Sequence, residues 1–118
     1  MLINFTNHPS QHWEDTQRKA SLAYGELVEM PFPHVDPHAT KEDLQVIAQE
    51  CVQRIVSSGS AQHLTVHVMG EMTFTFMVVT RLKELGIRCV ASTTERKVAY
   101  TAEGVKQTEF SFVQFREY

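Results

Sequence analysis

An α/β fold with a mostly parallel sheet is what this chain predicts, and three observations carry that reading. Apolar, β-branched runs alternate along the chain with segments of helical periodicity. Glycines and prolines fall at the joints between them. The last stretch, "RKVAYTAEGVKQTEFSFVQFREY", alternates apolar and polar residues around Glu103-Gly104, the pattern of an antiparallel hairpin.

Taken in order, "LINFT" at 2–6 reads as a short strand, ended by Pro9, with Ser10 placed to cap a helix over 11–24 that stops at Gly25. Trp13, Ala20 and Leu22 to Tyr24 supply that helix with its apolar side. "ELVEMPFP" is a second strand blunted by Pro31 and Pro33. Thr40 is the N-cap of the next helix, 41–59, where Leu44, Ile47, Ala48, Cys51 and Ile55 form an apolar stripe. "HLTVHVMG" is a third strand. "EMTFTFMVVTRLKELG" is a third helix, despite a β-prone middle, because Leu82, Leu85 and Gly86 continue and close it. "IRCVAST" is a fourth strand, and the hairpin adds two more, with Phe110, Phe112 and one of Val113 or Phe115 expected against the core.

The order is therefore β-α-β-α-β-α-β-β-β. Right-handed crossovers would make it a single Rossmann-like three-layer domain over 1–118, a mostly parallel sheet with a C-terminal antiparallel hairpin.

Composition narrows the function. At 42% hydrophobic and 21% charged residues, the chain suits an ordinary packed core. A net charge of −3 argues against general attraction to duplex nucleic acid or an anionic membrane. Cys51 and Cys89, the only cysteines, sit in apolar runs and read as buried thiols. No run approaches the ~20 apolar residues of a membrane span, and the N-terminus lacks the form of a signal peptide. A cytoplasmic protein is the expectation.

An open parallel sheet binds ligands beyond the carboxyl ends of its strands, where helix N-termini gather. Those ends are Asn7-His8-Pro9-Ser10, Pro31 to Asp36, Gly70-Glu71-Met72-Thr73 and Ser92-Thr93-Thr94-Glu95-Arg96. Small hydroxyls and amides there suit a small anionic nucleotide ligand. Gly70 would let a ligand approach the backbone, and Thr73 with nearby amides would donate to an anion. Glu71 has several readings: a ribose or adenine reader, a partner for Arg96, or a first-turn acid favoured by the helix dipole. Ser92 and Thr94 should share one strand face. His8 is a candidate for acid–base chemistry and Arg96 for charge stabilisation. His8 with His12, and His34 with His38 around Asp36, leave a metal site open as the minor alternative. His63 and His67 read as satisfied structural histidines, and Trp13 as a core anchor. Arg116 and Glu117 are an expected ion pair.

With "INFTNHPS", "MGEMTFTF" and "STTER" at the first, third and fourth strands, the chain resembles small stand-alone CRISPR-associated proteins of type III systems, the ring nucleases and their CARF-domain relatives. The resemblance is one of layout and covers nearly the whole chain. It implies a homodimer that binds a cyclic oligoadenylate across its two-fold axis and cleaves it, if at all, without metal or cofactor. Ser10, Thr73 and Ser92 to Thr94 would hold phosphates and riboses, and His8 and Arg96 would serve the chemistry. Two other readings stand beside it: a non-enzymatic dimeric regulatory or assembly module, and a metal-dependent hydrolase using the histidine pairs.

Overall fold

A computed structural model describes all residues, Met1–Tyr118. Five strands form one sheet in the order β2-β1-β3-β4-β5. They are β1 (Leu2–Thr6), β2 (Leu27–Glu29), β3 (Thr65–Met69), β4 (Arg88–Tyr100) and β5 (Lys106–Glu117), with helices α1 (Asp15–Ser21), α2 (Lys41–Val56) and α3 (Met72–Glu84) between them. The first four strands pair in parallel, and β4 with β5 antiparallel.

Every residue of β1 is buried, as a strand covered on both faces requires. Alternation divides the strands between two apolar clusters. Ile3, Phe5, Val66, Val68 and Cys89 pack with α2 and α3, whose contributions include Ala48, Ile55, Phe74 and Leu82. Leu2 and Val90 pack on the other side with Trp13, Tyr24 and Phe115. The Thr40 cap forms as expected: its hydroxyl accepts from Asp43 N–H, and the Asp43 carboxylate accepts from Thr40 N–H. The helix over "FTFMVV" also forms, since its apolar stripe falls on the packed side of α3. Both cysteines are free and buried, and burial pushes the Cys89 thiol up to about 12.

Several expectations change. The helix expected over 11–24 is broken: a 3₁₀ turn, Ser10–His12, precedes extended Trp13 and Glu14, and α1 starts only at Asp15. Sinking Trp13 into the sheet bends the chain there. Ser10 is not a cap; its N–H donates to the Glu29 carboxylate instead. Leu22 faces water, while Gln17 and Ser21 are buried.

The larger change is at the C-terminus. The expected fourth and fifth strands are one continuous strand, β4, so "STTER" lies mid-strand and not in a loop. Past Val90, β4 pairs only with β5. The register slips between Thr93 and Thr94, where Gln114 and then Phe112 are the partners and Val113 is the extra residue. This bulge puts Phe112 and Phe115 on one face with rings 5.0 Å apart, and leaves Val113 and Phe110 exposed rather than in the core. Glu117 pairs with Arg88 at 3.6 Å, not with its neighbour Arg116, because the edge strands bring Arg88 alongside.

Candidate functional site

β1 and β3 end side by side, while their neighbour β4 runs on past them to Tyr100. Thr6 lies opposite Met69. The Ser92 N–H and hydroxyl point to the Met69 sulfur at 3.3 and 3.1 Å, which sets Ser92 level with that residue. The segments leaving β1 and β3, Asn7–Ser10 and Gly70–Thr73, therefore share one rim, and Ser92–Thr94 pass it within β4.

Beneath the rim runs a polar row that strand register creates. Glu29, Asn4 and His67 are direct neighbours across β2, β1 and β3. The Asn4 amide donates to both Glu29 oxygens, at 3.2 and 3.1 Å, and to the His8 carbonyl at 3.1 Å. Its Oδ1 lies 2.9 Å from the Thr6 hydroxyl and 3.0 Å from His67 Nδ1. Since Oδ1 can only accept, His67 Nδ1 carries the proton and Nε2 keeps a lone pair. That Nε2 is buried and has no partner. The edges of Trp13 and Phe115 stand against the ring, with centroids 5.6 and 5.2 Å away. Burial, then the charge of His8, pulls the His67 pKa down to about 4, against an upward pull from Glu29.

This row braces the exit of β1. The His8 carbonyl also accepts from Trp13 Nε1 at 3.2 Å, and the His8 N–H donates to Thr6 Oγ1 at 3.1 Å. The backbone of His8 is thus held from several sides while its imidazole stays exposed, 6.4 Å from the His12 ring. Asn7 is exposed and Ser10 half-buried beside it.

The exit of β3 is built differently, and two expectations fail there. A Cβ on Gly70 would meet the Phe32 ring at 2.4 Å, so the missing side chain makes room for Phe32 and not for a ligand. Glu71 is the N-cap of α3. Its carboxylate accepts from Thr73 N–H at 3.1 Å, Phe74 N–H at 2.8 Å and the Thr73 hydroxyl. The amides and hydroxyl expected to hold an anion are occupied by the chain's own acid. These bonds, the Phe74 N–H foremost, hold the Glu71 carboxyl below its ordinary pKa. Met72 is exposed and lies over a hollow between α2 and α3.

On β4, Ser92 and Thr93 are half-buried, while Thr94, Glu95 and Arg96 are exposed. Thr93 Oγ1 donates to the Gln114 carbonyl at 3.3 Å, so Ser92 and Thr94 are the hydroxyls on the face of the polar row. Arg96 lies on the ribbon, two residue pairs outward from Thr94. Asn7, His8 and Ser10 thus sit at the β1 end of the rim and Ser92 and Thr94 two strands away on β4, with Arg96 farther out on the ribbon. No group of three or more His, Cys, Asp or Glu side chains gathers as metal ligands. No helix is long and apolar enough to cross a membrane.

His67 is the residue that sequence reasoning undervalued. An unpartnered buried nitrogen is visible only once register pairs it with Asn4. The one available signal was polarity inside two apolar strands, Asn4 in "LINFT" and His67 in "LTVHVM".

The class so defined is a mixed α/β protein whose parallel strands end on a polar rim braced by a buried amide–imidazole pair. Within that class the chain belongs to a particular family: residues 1–116 match the uncharacterized protein MJ1673 family. No curated protein and no solved structure matches it.

Proposed function

We propose that this protein binds a cyclic oligoadenylate signalling nucleotide on the rim, as a cytoplasmic homodimer with a Rossmann-like three-layer architecture, in a type III CRISPR defence setting. The observation that carries the reading is that Asn7, His8 and Ser10 leave β1 on the same rim that Ser92 and Thr94 pass on β4, with the His8 backbone fixed from below. Half-buried Ser10 and Ser92, exposed Thr94 and the Asn7 amide carry groups that suit ribose and phosphate oxygens. The layout resemblance to ring nucleases and CARF-domain proteins supports the choice of ligand.

Turnover on this reading needs no metal. A ribose 2′-hydroxyl attacks the adjacent phosphorus, forming the 2′-O–P bond as the P–O5′ bond breaks. The His8 imidazole takes the 2′-proton, and the departing 5′-oxygen is protonated to a hydroxyl. The products are a 2′,3′-cyclic phosphate and a 5′-hydroxyl. Arg96 would offset charge on the phosphate, reaching it from the ribbon.

Binding without cleavage is the second reading. It is favoured by the Glu71 carboxylate, which fills the α3 N-terminus and removes the most direct anion cradle on the rim. Calorimetry with cyclic tetra-adenylate, against linear tetra-adenylate and AMP, tests both. Selective binding of the ring is expected, and equal or absent binding of all three would remove the proposal. Mass spectrometry of the incubated ligand then separates turnover, with its 2′,3′-cyclic phosphate end, from binding alone.

A further inference from the structure

On the polar row, His67 holds a buried ring nitrogen that nothing satisfies. Its Nδ1–H is fixed on Asn4 Oδ1, and its Nε2 has no hydrogen-bond partner, in a residue only 2% exposed. What stands against the ring is aromatic: Trp13 at 5.6 Å and Phe115 at 5.2 Å, inclined to it by 69° and 74°. Neutral, the imidazole fits this box. A second proton, on Nε2, would be a charged donor with no acceptor among its neighbours.

One wall of the box is weakly held. Trp13 is the only buried residue from Gln11 to Thr16, in the extended stretch between the 3₁₀ turn and α1. The backbone N–H groups of His12 and Trp13 bond locally, to the Pro9 and Ser10 carbonyls. The stretch is therefore pinned to the sheet chiefly by one indole. That indole also donates from Nε1 to the His8 carbonyl at 3.2 Å, where the Asn4 amide and the Thr6 hydroxyl lie at 3.1 Å each. Trp13 thus touches both the His67 ring and the backbone that carries His8 on the rim.

We propose that Trp13 is an acid-released latch: protonation of His67 expels the indole and so frees the His8 segment of the rim. The titratable groups on the elements packed around His67 are Glu29 on β2, His8 and His12 after β1, Glu14 and Asp15 beside Trp13, Tyr24 ahead of β2, and the ion-paired Arg88 and Glu117 on β4 and β5. Burial opposes the proton most, then His8, while Glu29 favours it. The ring titrates at about 4 when enclosed and near its ordinary 6.5 when released, which sets the sign. Above pH 6.5 the latch equilibrium does not depend on pH. Below it, the ratio of open to closed rises about tenfold per unit, approaching roughly 300-fold in all. The latch involves no nucleotide, so it fails separately from the ligand reading.

Trp13 is the single tryptophan, so its indole N–H gives one isolated proton signal. Hydrogen exchange of that proton is measured against free N-acetyltryptophanamide at each pH. Its protection should lie at least about tenfold below that of the β1 amides, which report global unfolding. Between about pH 6 and 4.5 it should fall about tenfold per unit. His67→Gln keeps a donor for Asn4 and takes up no proton, so it should abolish this slope, whereas His8→Gln should leave it. Indole protection equal to that of β1 would overturn the proposal, because Trp13 would then leave only when the whole chain unfolds. So would a slope that survives His67→Gln, or one that His8→Gln removes. Should His67→Gln fail to fold, the wild-type imidazole decides through its carbon shifts. The latch requires a midpoint below about pH 5 alongside the wild-type slope, and a midpoint near 6.5 would leave no strain to open it.

Discussion

The loops leaving β1 and β3 lie side by side on one rim, yet they use their polar groups in opposite ways. After β1, backbone and buried side chains satisfy one another, and the exposed side chains of Asn7 and His8 are left for solvent or ligand. After β3, the exposed acid Glu71 turns back onto its own helix, and Gly70 is filled by Phe32. A glycine, an acid and a hydroxyl at a helix start thus make a closed cap. An unassuming asparagine in a strand supports the open part of the rim.

The comparison breaks first at Asn4. Replacing it with Leu takes the acceptor from the buried His67 Nδ1–H, while exposed Glu29 keeps the Ser10 N–H and solvent. Urea unfolding should show a loss of ~1–3 kcal/mol, from the buried N–H left without an acceptor. A loss under ~0.5 kcal/mol would mean the row braces nothing.

Acid tests the same row through His67. Its folded pKa of about 4 lies below the ordinary 6.5, so between these values the unfolded chain binds the extra proton. Stability contributed by the neutral imidazole is complete above pH 6.5 and is lost as pH falls toward 4, by ~3 kcal/mol in all. His67→Leu should flatten the stability–pH curve in that window, measured by denaturant midpoints. An unchanged slope would show that His67 is not held neutral.

At the β3 exit the expected effects are smaller. Gly70→Ala should destabilise by ~1–3 kcal/mol through overpacking against Phe32. Combining it with Phe32→Leu should give less than the sum of the two single losses, and strict additivity would remove that contact as the cause. Glu71→Gln should lower the melting temperature slightly by weakening the cap, most visibly above the depressed carboxyl pKa, where the wild-type group is ionised. The difference should shrink as pH falls through that pKa. If cyclic tetra-adenylate binds more tightly to Glu71→Gln, the α3 N-terminus is an anion site that the acid merely guards.

Much of this was legible in the chain. The first strand matches residue for residue, and the Thr40 capping box, the α2 stripe and the Glu103-Gly104 turn appear where periodicity and turn chemistry put them. The continuous β4 was not legible. Ser92 to Arg96 are polar on both faces, and polarity reads as a loop unless a partner strand is known to run beside it. The break at Trp13 was hidden because helical propensity runs through it, and tertiary burial of one indole overrode that propensity. The polar row was hidden for a deeper reason. Residues 4, 29 and 67 become neighbours only through register, which no local pattern states.

The central claim, that the open part of the rim holds a cyclic oligoadenylate, is tested most directly by backbone amide NMR during titration with cyclic tetra-adenylate. Saturable shifts should concentrate at Asn7, His8, Ser10 and Ser92–Thr94, with residues at the opposite end of the sheet, such as His63 and Gly86, unmoved. Shifts confined to that far end, or none at millimolar ligand, would contradict the account.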